Sequence, residues 1–468
     1  MNKDIIKKIK AIIGNKNILL DEVEKNKYLS EWRGRYKGKA LAVIKPNSTS
    51  EISRIMRLFH KENIKVIPQG GNTGLVGGQI SFDENHIVLS TERLNNIREI
   101  NILNNSITVE SGVLLSVVQN ICDEYNILFP LSLASEGSCT IGGNIATNAG
   151  GVAVLYYGNM RDLTLGLEVV LSDGTILDGL KSLKKDNTGY SLKDLFVGSE
   201  GTLGIVTAAT LKTFPKPDDK FTLLCNTENP LSAVKLMRFI QSKIITPLTA
   251  FELMNKNSVE LVIRHIKGTK LPIKTKANWY VLLEFSKIGG SVDPVNEIQD
   301  NLNIARNIGL LSDVVFSNSL KQSEELWSLR DNISESQKKE GASIKNDISV
   351  PVSSIQKFIN SANKIVEECI PNSKCITFGH IGDGNIHYNI SQPQDMNSED
   401  FYALEKKLRD RILNLVSEHK GSFSAEHGIG IARKSDALKY KEKEIKVMQS
   451  IKRSLDPKNI LNPNKIFD

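Results

Sequence analysis

The sequence predicts a chain of mixed α-helices and β-strands that is divided into at least two domains. Its 468 residues are too many for one ordinary hydrophobic core, so two or three domains are expected. In the first half, short strand patterns alternate with helical patterns and with glycine clusters. The proline-rich, charged stretch 215–220 is typical of a linker, and the longer helical patterns after it indicate a separate α+β domain.

The first half begins with an amphipathic pattern and then alternates helix and strand. Residues 1–17 have no long apolar core and no small-residue cleavage site, so they predict a short amphipathic helix rather than a signal peptide. Ser48 and Glu51 have the spacing of a capping box, and the helix that they begin is predicted to end near Asn63. The predicted strands are 40–44, 65–67, 87–89, 107–110, 167–171 and 204–207.

The second half is predicted to combine longer helices with a central strand. Helical patterns cover 231–243 and 295–308, with a strand at 279–285 between them. A further helix is predicted at 441–455, before a polar, turn-rich tail. The expected divisions are 1–215, 216–420 and a C-terminal segment, 421–468.

The composition is that of a globular protein, with 40% hydrophobic and 24% charged residues. No apolar run approaches the ~18–20 residues of a membrane-spanning helix, so no transmembrane segment is expected. The net charge of +7 fits anionic ligands or a membrane surface, but it equally fits a lysine-rich solvated surface. The lack of a basic block favours the solvated surface, and no nucleic-acid partner is expected. The five cysteines form no Cys-x-x-Cys pair, which argues against an iron–sulfur cluster or a disulfide framework and favours a reducing, cytoplasmic location.

Three segments are unusually rich in glycine and other small residues: 68–78, 137–151 and 198–204. Glycine allows a backbone to turn with positive φ and to present its N–H groups to an anion such as phosphate. None of the three has the glycine spacing of a nicotinamide-binding or P-loop motif. One such cluster alone would indicate a tight turn, but three within about 140 residues favour a large cofactor that carries phosphate.

The same clusters resemble the FAD-binding segments of the vanillyl-alcohol oxidase and p-cresol methylhydroxylase superfamily. Within it, the chain is most similar to the D-2-hydroxyglutarate and D-lactate dehydrogenases, from Trp32-Arg33-Gly34 to Asn462-Pro463. The resemblance implies an α+β fold with an FAD-binding domain of the p-cresol methylhydroxylase type and a separate α+β substrate domain, or cap. It also implies that the C-terminal helical segment completes the active site and packs on the FAD domain.

The resemblance further implies which residues contact FAD. Gly70 to Gly74 are expected to wrap the pyrophosphate. Some members of the superfamily attach FAD through a histidine in this loop, but this chain carries Asn72 and no histidine there, so FAD is expected to bind non-covalently. The implied FAD contacts are Gln69, Gly70, Gly71, Asn72, Thr73, Gly74, Ser135, Gly137, Ser138, Gly142, Gly143, Asn144, Asn148, Gly201, Ile205 and Asn462.

Three of the seven histidines lie in two C-terminal segments. Residues 379–389 predict a strand, a Gly-Asp-Gly-Asn turn and a second strand, so His380 and His387 could lie side by side on a hairpin. Two histidines and a carboxylate suit zinc or a similar divalent metal with an open position, although core histidines bonded to backbone fit the spacing equally well. The resemblance implies His380, His387 and Glu426 as metal ligands, His427 as general base and Asn389 as a substrate contact.

The resemblance also implies an activity, the oxidation of a D-2-hydroxy acid, with D-2-hydroxyglutarate as the expected substrate. The metal would lower the pKa of the hydroxyl, a neutral histidine would take its proton, and the C2 hydride would pass to FAD. Arg330, Ser334 and Lys345 are the implied carboxylate contacts, with Arg330 and Ser334 predicted on one face of a single helix. Taken alone, Arg330 and Lys345 would be interpreted as ordinary surface cations. The close family pattern has threonine where this chain has Ser334, which puts substrate fit in question.

The sequence leaves other substrates and another function open. D-Lactate, D-malate and glycolate are alternative substrates, and a non-catalytic flavin subunit of a redox complex is an alternative function. The electron acceptor could be an electron-transfer flavoprotein or a quinone. The metal's identity and the oligomeric state, including a homodimer, are not determined by the sequence.

Overall fold

The structure is a computed structural model in which residues 2–290 and 293–467 are described. None of the helices within these ranges is both long and apolar enough to span a membrane. The α-helices are α1 (Asn2–Ile13), α2 (Glu22–Leu29), α3 (Thr49–Glu62), α4 (Leu115–Glu124), α5 (Ile141–Ala146), α6 (Val154–Tyr157), α7 (Met160–Leu163), α8 (Lys193–Phe196), α9 (Pro230–Lys243), α10 (Lys256–His265), α11 (Pro294–Asn307), α12 (Leu320–Asp331), α13 (Ile333–Lys338), α14 (Ile355–Cys369), α15 (Ser398–Ala403), α16 (Glu405–Glu418), α17 (Lys434–Tyr440) and α18 (Glu442–Leu455).

The strands are short in the first half of the chain and longer in the second. They are β1 (Ile18–Leu19), β2 (Ala42–Ile44), β3 (Val66–Gln69), β4 (Ile87–Ser90), β5 (Ile97–Asn101), β6 (Ser106–Glu110), β7 (Ile127–Leu128), β8 (Thr164–Val170), β9 (Ile176–Gly179), β10 (Ile205–Lys212), β11 (Phe214–Pro215), β12 (Asp219–Thr227), β13 (Leu248–Asn255), β14 (Trp279–Lys287), β15 (Val314–Phe316), β16 (Ser343–Ile344), β17 (Asp347–Ser349), β18 (Lys374–His380) and β19 (Asn385–Ser391).

The chain forms two compact units. Unit 1 contains the residues up to Gly151, Gly158–Lys216 and the residues from Glu426 onward. Unit 2 contains Val152–Tyr157 and Pro217–Ala425. The passage from unit 1 to unit 2 after Lys216 therefore falls inside the proline-rich, charged linker.

The first sheet of unit 1 has the strand order β1-β2-β4-β3, and β3 and β2 each lie parallel to β4. Helix α3 connects β2 to β3; it ends at Glu62, and its C-cap, Asn63, adopts a left-handed conformation with φ of 55°. The side chain of Ser48 accepts the Glu51 N–H, as an N-cap should. The prediction of a complete capping box is wrong, because the Glu51 carboxylate accepts the backbone N–H of Asn47 rather than that of Ser48.

The second sheet of unit 1 is antiparallel, with the strand order β5-β6-β10-β8-β9. Its central strand, β10, runs to Lys212, five residues beyond the predicted strand 204–207. All residues of β10 but the last are buried, because it lies between β6 and β8. Period-two alternation is lost in such a strand, so its end is not visible in the sequence.

The C-terminal segment of unit 1 is held against the first sheet by one backbone bridge and against the third glycine cluster by one buried lysine. Leu461 forms a parallel bridge with Val66, which extends the edge of the first sheet beside β3. The Nζ atom of Lys452, on α18, donates to the backbone oxygens of Thr202 and Leu461. Together with the carboxylate of Asp456, which also accepts from Nζ, these bonds satisfy the buried ammonium group and bring the end of the chain beside the third glycine cluster.

Unit 2 is built on one antiparallel sheet with the order β15-β12-β14-β13-β18-β19-β16, and β17 also pairs with β19. Side chains of α10 and α12 form a buried core with β12, β13, β14 and β18. The prediction of a single helix across 326–334 is wrong, because α12 ends at Asp331 and α13 begins at Ile333. The side-chain amide of Asn332, between them, donates to the backbone oxygen and the hydroxyl of Ser328, and this local bonding competes with a regular helix.

Candidate functional site

The first two glycine clusters pack backbone against backbone in unit 1. The loop begins where β3 ends, at Gln69. A Cβ atom on Gly71 would lie 2.0 Å from the backbone oxygen of Ser138, and one on Gly70 would lie 2.3 Å from the Thr140 hydroxyl. Because no side chain fits these gaps, only glycine allows the two loops to approach so closely.

Several buried polar atoms around these loops have no hydrogen-bond partner among the described residues. The side-chain amide of Gln69 donates to the backbone oxygens of Tyr28 and Gln79, and that of Asn72 donates to those of Lys27 and Ser30. Their side-chain oxygens stay buried without a partner, and so does the amide nitrogen of Asn144. Buried polar groups are almost always hydrogen-bonded, so this cluster fits a polar ligand that supplies the missing partners.

The second cluster surrounds the short helix α5. The backbone oxygen of Ser135 accepts the N–H of Ser138, and the N–H of Gly142 donates to the backbone of Ser111. Asn148, with a positive φ of 51°, accepts the backbone N–H of Arg161 through its side chain. The side chains of Asn148 and Asn72 therefore hold the loops in place through hydrogen bonds to the backbone.

The third cluster meets the C-terminal segment through Glu200, a residue that the sequence analysis did not single out. Its carboxylate accepts the backbone N–H groups of Ile429 and Gly430 at 2.7 and 2.9 Å. Burial raises the pKa of Glu200 to about 7, although these bonds and the charge of Lys465 act in the opposite direction. The neighbouring Gly201 has a φ of 71° and lies against Pro68, so this cluster also reaches the start of the first loop.

These observations together fit FAD. The two loops present close backbone, as a pyrophosphate requires, and the unpartnered amides suit a ligand with many donors and acceptors. The residues implied for FAD all belong to unit 1 and lie in three places: the loop after β3, the region around α5, and the Gly201–Ile205 turn next to Asn462.

In unit 2, the predicted hairpin of strand, Gly-Asp-Gly-Asn turn and strand is confirmed. His380 is the last residue of β18, and His387 lies on β19 opposite Phe378. The centroids of the two imidazole rings are 5.8 Å apart and their planes make an angle of 77°. Gly384 closes the turn with a φ of 86°, and a Cβ there would lie 2.2 Å from the backbone oxygen of Val350. The hairpin therefore brings the two histidines side by side.

A buried carboxylate that sequence reasoning missed holds His380. The Oε1 atom of Glu252, on β13, lies 2.5 Å from Nδ1 of His380, and its Oε2 accepts Nε–H of Arg330 at 2.6 Å. Burial disfavours the charged form of Glu252, but the charges of His380 and Arg330 and their hydrogen bonds outweigh it and keep its pKa below the ordinary value. A single carboxylate in an otherwise uncharged and mostly apolar strand is the signal that could have revealed it.

His387 lies near a second carboxylate. Its Nδ1 is 3.6 Å from a carboxylate oxygen of Asp347, which also accepts the side-chain amide of Asn385. The backbone oxygen of Asp347 accepts the N–H of Ala425, the last residue of unit 2. Glu426 is one residue further along the chain, about 3.8 Å between Cα atoms. Ala425, which precedes Glu426 in the chain, is thus held at the strand that pairs with His387.

The expected substrate residues have different surroundings in unit 2. Arg330 is buried, and its guanidinium lies 4.7 Å from the ring centroid of Phe378. Asn389 is buried and donates to the side chain of Gln337 at 3.1 Å. Ser334, in the first turn of α13, and Lys345, between β16 and β17, are exposed. The structure thus joins Arg330 directly to Glu252, the partner of His380.

Two family models match the chain. The FAD binding domain matches residues 40–179, and the C-terminal domain of FAD linked oxidases matches residues 216–466. A structure of p-cresol methylhydroxylase with substrate bound has the same fold, with a TM-score of 0.73, 16% identity, and coverage of 100% of this chain and 97% of that one. The p-cresol methylhydroxylase type of fold is therefore confirmed.

Among relatives, the mitochondrial D-2-hydroxyglutarate dehydrogenase of Arabidopsis thaliana is 35% identical over 98% of this chain and 80% of its own length. The D-2-hydroxyglutarate dehydrogenase of Xanthomonas citri pv. viticola is 36% identical over 94% and 92%. A putative mitochondrial D-lactate dehydrogenase of Schizosaccharomyces pombe is 35% identical over 99% and 90%. The chain therefore belongs to the D-2-hydroxyglutarate and D-lactate dehydrogenase group of the FAD-linked oxidases, the FAD-dependent hydroxy-acid dehydrogenases.

Proposed function

We propose that this protein oxidises D-2-hydroxyglutarate to the corresponding 2-oxo acid, with FAD as hydride acceptor and a divalent metal, expected to be zinc. The observation that carries the proposal is the similarity to D-2-hydroxyglutarate dehydrogenases over nearly the whole chain. The adjacent histidines of the β18–β19 hairpin support it, because imidazoles are common zinc ligands.

We assign the metal to His380, His387 and Glu426. The Nδ1 atom of His380 is engaged by Glu252, so Nε2 is the atom that His380 offers to a metal. A bound metal supplies a Lewis acid that lowers the pKa of the substrate hydroxyl. His427, the residue after Glu426, is assigned as the base that takes the hydroxyl proton, since a neutral imidazole can accept a proton near neutral pH.

Arg330, Ser334, Lys345 and Asn389 are assigned to the substrate. Because Nε of Arg330 is used by Glu252, Arg330 would grip a carboxylate with its two terminal nitrogens. A dicarboxylate needs a second cationic contact besides the metal. Arg330 is a buried cation that shares the Glu252 carboxylate with His380.

FAD is proposed to bind without a covalent link. Asn72 occupies the loop where some superfamily members carry a histidine, and an amide cannot form that bond. Acid precipitation should therefore leave the yellow colour in the supernatant as intact FAD. A yellow pellet would show covalent attachment.

D-Lactate is the second candidate substrate, because one full-length relative carries that name. Anaerobic mixing with each acid tests both: D-2-hydroxyglutarate should bleach the flavin absorbance fastest, and a chelator should slow the bleaching. No bleaching by any 2-hydroxy acid would favour the non-catalytic flavin subunit. The cytoplasmic location and the electron acceptor, an electron-transfer flavoprotein or a quinone, stay predictions.

A further inference from the structure

We propose that Glu252 is the positioning residue of the substrate site, because its one buried carboxylate orients both the metal ligand His380 and the substrate-binding Arg330. The inference rests on the proposed function, which makes His380 a ligand and Arg330 a substrate contact. It adds Glu252, on β13, which joins the proposed metal ligand His380 to the proposed substrate contact Arg330.

The geometry assigns one carboxylate oxygen to each partner. Oε1 lies 2.5 Å from Nδ1 of His380, and Oε2 lies 2.6 Å from Nε of Arg330. Glu252 is fully buried, so water does not compete for these oxygens. In the sheet, Glu252 on β13 is directly opposite His380 on β18. Arg330 reaches the same carboxylate from the last turn of α12, with Phe378 against its guanidinium plane.

This arrangement determines the tautomer of His380. A carboxylate only accepts hydrogen bonds, so Nδ1 of His380 carries a proton, and in the neutral ring that would bind a metal the lone pair is on Nε2. A metal-binding histidine commonly donates its other nitrogen to a carboxylate in this way, and losing the carboxylate typically weakens metal binding 10- to 100-fold. Glu252 therefore sets both the direction and the protonation of the ligand.

The same carboxylate limits the movement of Arg330. With Nε held, the guanidinium plane is fixed and the two terminal nitrogens have a defined direction. Glutamine at position 252 has one oxygen and one NH₂ group, and the NH₂ group would face a donor of either His380 or Arg330. Glu252→Gln therefore keeps the shape of the side chain but cannot satisfy both partners.

Glu284 offers a matched control. It lies on the adjacent strand β14, opposite Ala250, and its carboxylate accepts from Trp327, which is on the same helix as Arg330. Glu284→Gln therefore removes a largely buried carboxylate that bonds α12 to the sheet, but it does not affect His380. A role of Glu252 in stability alone predicts similar results for the two variants.

The test measures zinc binding by the FAD-loaded protein after chelator treatment, by competition with a chromophoric zinc chelator. Glu252→Gln should bind zinc about 10- to 100-fold more weakly than the wild type, whereas Glu284→Gln should differ by less than about three-fold. Equal zinc affinity of Glu252→Gln and the wild type, with a zinc site that His380→Ala abolishes, would overturn the positioning role and leave the proposed function standing. A wild type that binds no zinc would overturn both.

A second measurement needs no variant of Glu252 to fold. Nitrogen NMR of histidine-labelled, zinc-loaded protein, with the His380 signal identified from its loss in His380→Ala, reports the tautomer directly. The proposal requires the proton on Nδ1 of His380. A proton on Nε2 would overturn it.

Discussion

The side-chain nitrogen of Asn462 donates to the backbone oxygen of Glu200 at 2.7 Å, although 262 residues separate the two along the chain. The same nitrogen donates to the backbone oxygen of Gly78 at 3.0 Å. One amide near the C-terminus thus joins the end of the first glycine cluster to the third. The C-terminal segment is therefore part of the proposed FAD site's framework in unit 1.

Asn462→Ala should destabilise the FAD-loaded protein by about 1–3 kcal/mol, because it leaves the buried carbonyl group of Glu200 and the partly buried carbonyl group of Gly78 without this donor. Asn464→Ala is the control: Asn464 also has a positive φ, 62° against 42° for Asn462, but its side chain is exposed. Both variants place alanine in a strained backbone conformation, so their difference isolates the contribution of the Asn462 side chain. Thermal unfolding followed by flavin fluorescence measures it. Equal losses of stability would contradict the role given to Asn462.

Glu200 should make stability depend on pH. Burial raises its pKa from 4.5 to about 7 in the folded protein, so the folded state holds this proton more tightly than the unfolded state. The resulting stabilisation is fully present below pH 4.5 and is lost as the pH rises through about 7, in total on the order of 3 kcal/mol. Glu200→Gln removes this titration. Denaturant unfolding should therefore show the wild type losing stability relative to Glu200→Gln between pH 5 and pH 7.5. A constant difference across this range would exclude the effect.

Local features of the fold could be predicted from the sequence, whereas pairings between distant strands could not. The end of α3 near Asn63 and the histidine hairpin depend on residues close together in the chain, and both predictions are confirmed. The link between Glu252 and His380 depends on the pairing of β13 with β18, more than a hundred residues apart. Sequence periodicity does not specify such pairing, so Glu252 was missed although His380 was found.

The assignment of residues 152–157 to unit 2 could not be predicted either, because it also depends on packing between distant parts of the chain. The short helix α6 packs against β13, which belongs to the second half of the chain. The sequence changes here from a glycine cluster to the apolar residues 152–157, but this change does not indicate which unit they join, so only tertiary packing reveals it.

His427→Ala should slow turnover by about 10²–10⁴-fold, the usual contribution of a positioned general base. Zinc content should stay at the wild-type level, because the proposed ligands, His380, His387 and Glu426, do not include His427. Turnover should recover in part at high pH, where the substrate hydroxyl ionises more readily. An unchanged rate at neutral pH would show that another group takes the proton.

Arg330→Ala should lower kcat/KM for D-2-hydroxyglutarate by roughly 10- to 100-fold, since a hydrogen bond to a charged group contributes about 1.5–3 kcal/mol. Any effect of Arg330→Ala that acts through Glu252 on His380 should lower kcat/KM for all substrates by the same factor. The ratio of kcat/KM for D-2-hydroxyglutarate to that for D-lactate therefore isolates the contact with the second carboxylate. Steady-state assays with a dye acceptor measure this ratio, and an unchanged ratio would assign Arg330 to the C1 carboxylate or to the fold.

The most direct measurement is kcat/KM of the purified, zinc-loaded wild type for D-2-hydroxyglutarate, D-lactate, D-malate and glycolate with the same dye acceptor. We predict the highest value for D-2-hydroxyglutarate, and we expect it to fall when a chelator removes the metal. A higher kcat/KM for D-lactate would contradict the substrate assignment, and full activity after complete removal of the metal would contradict the proposed mechanism.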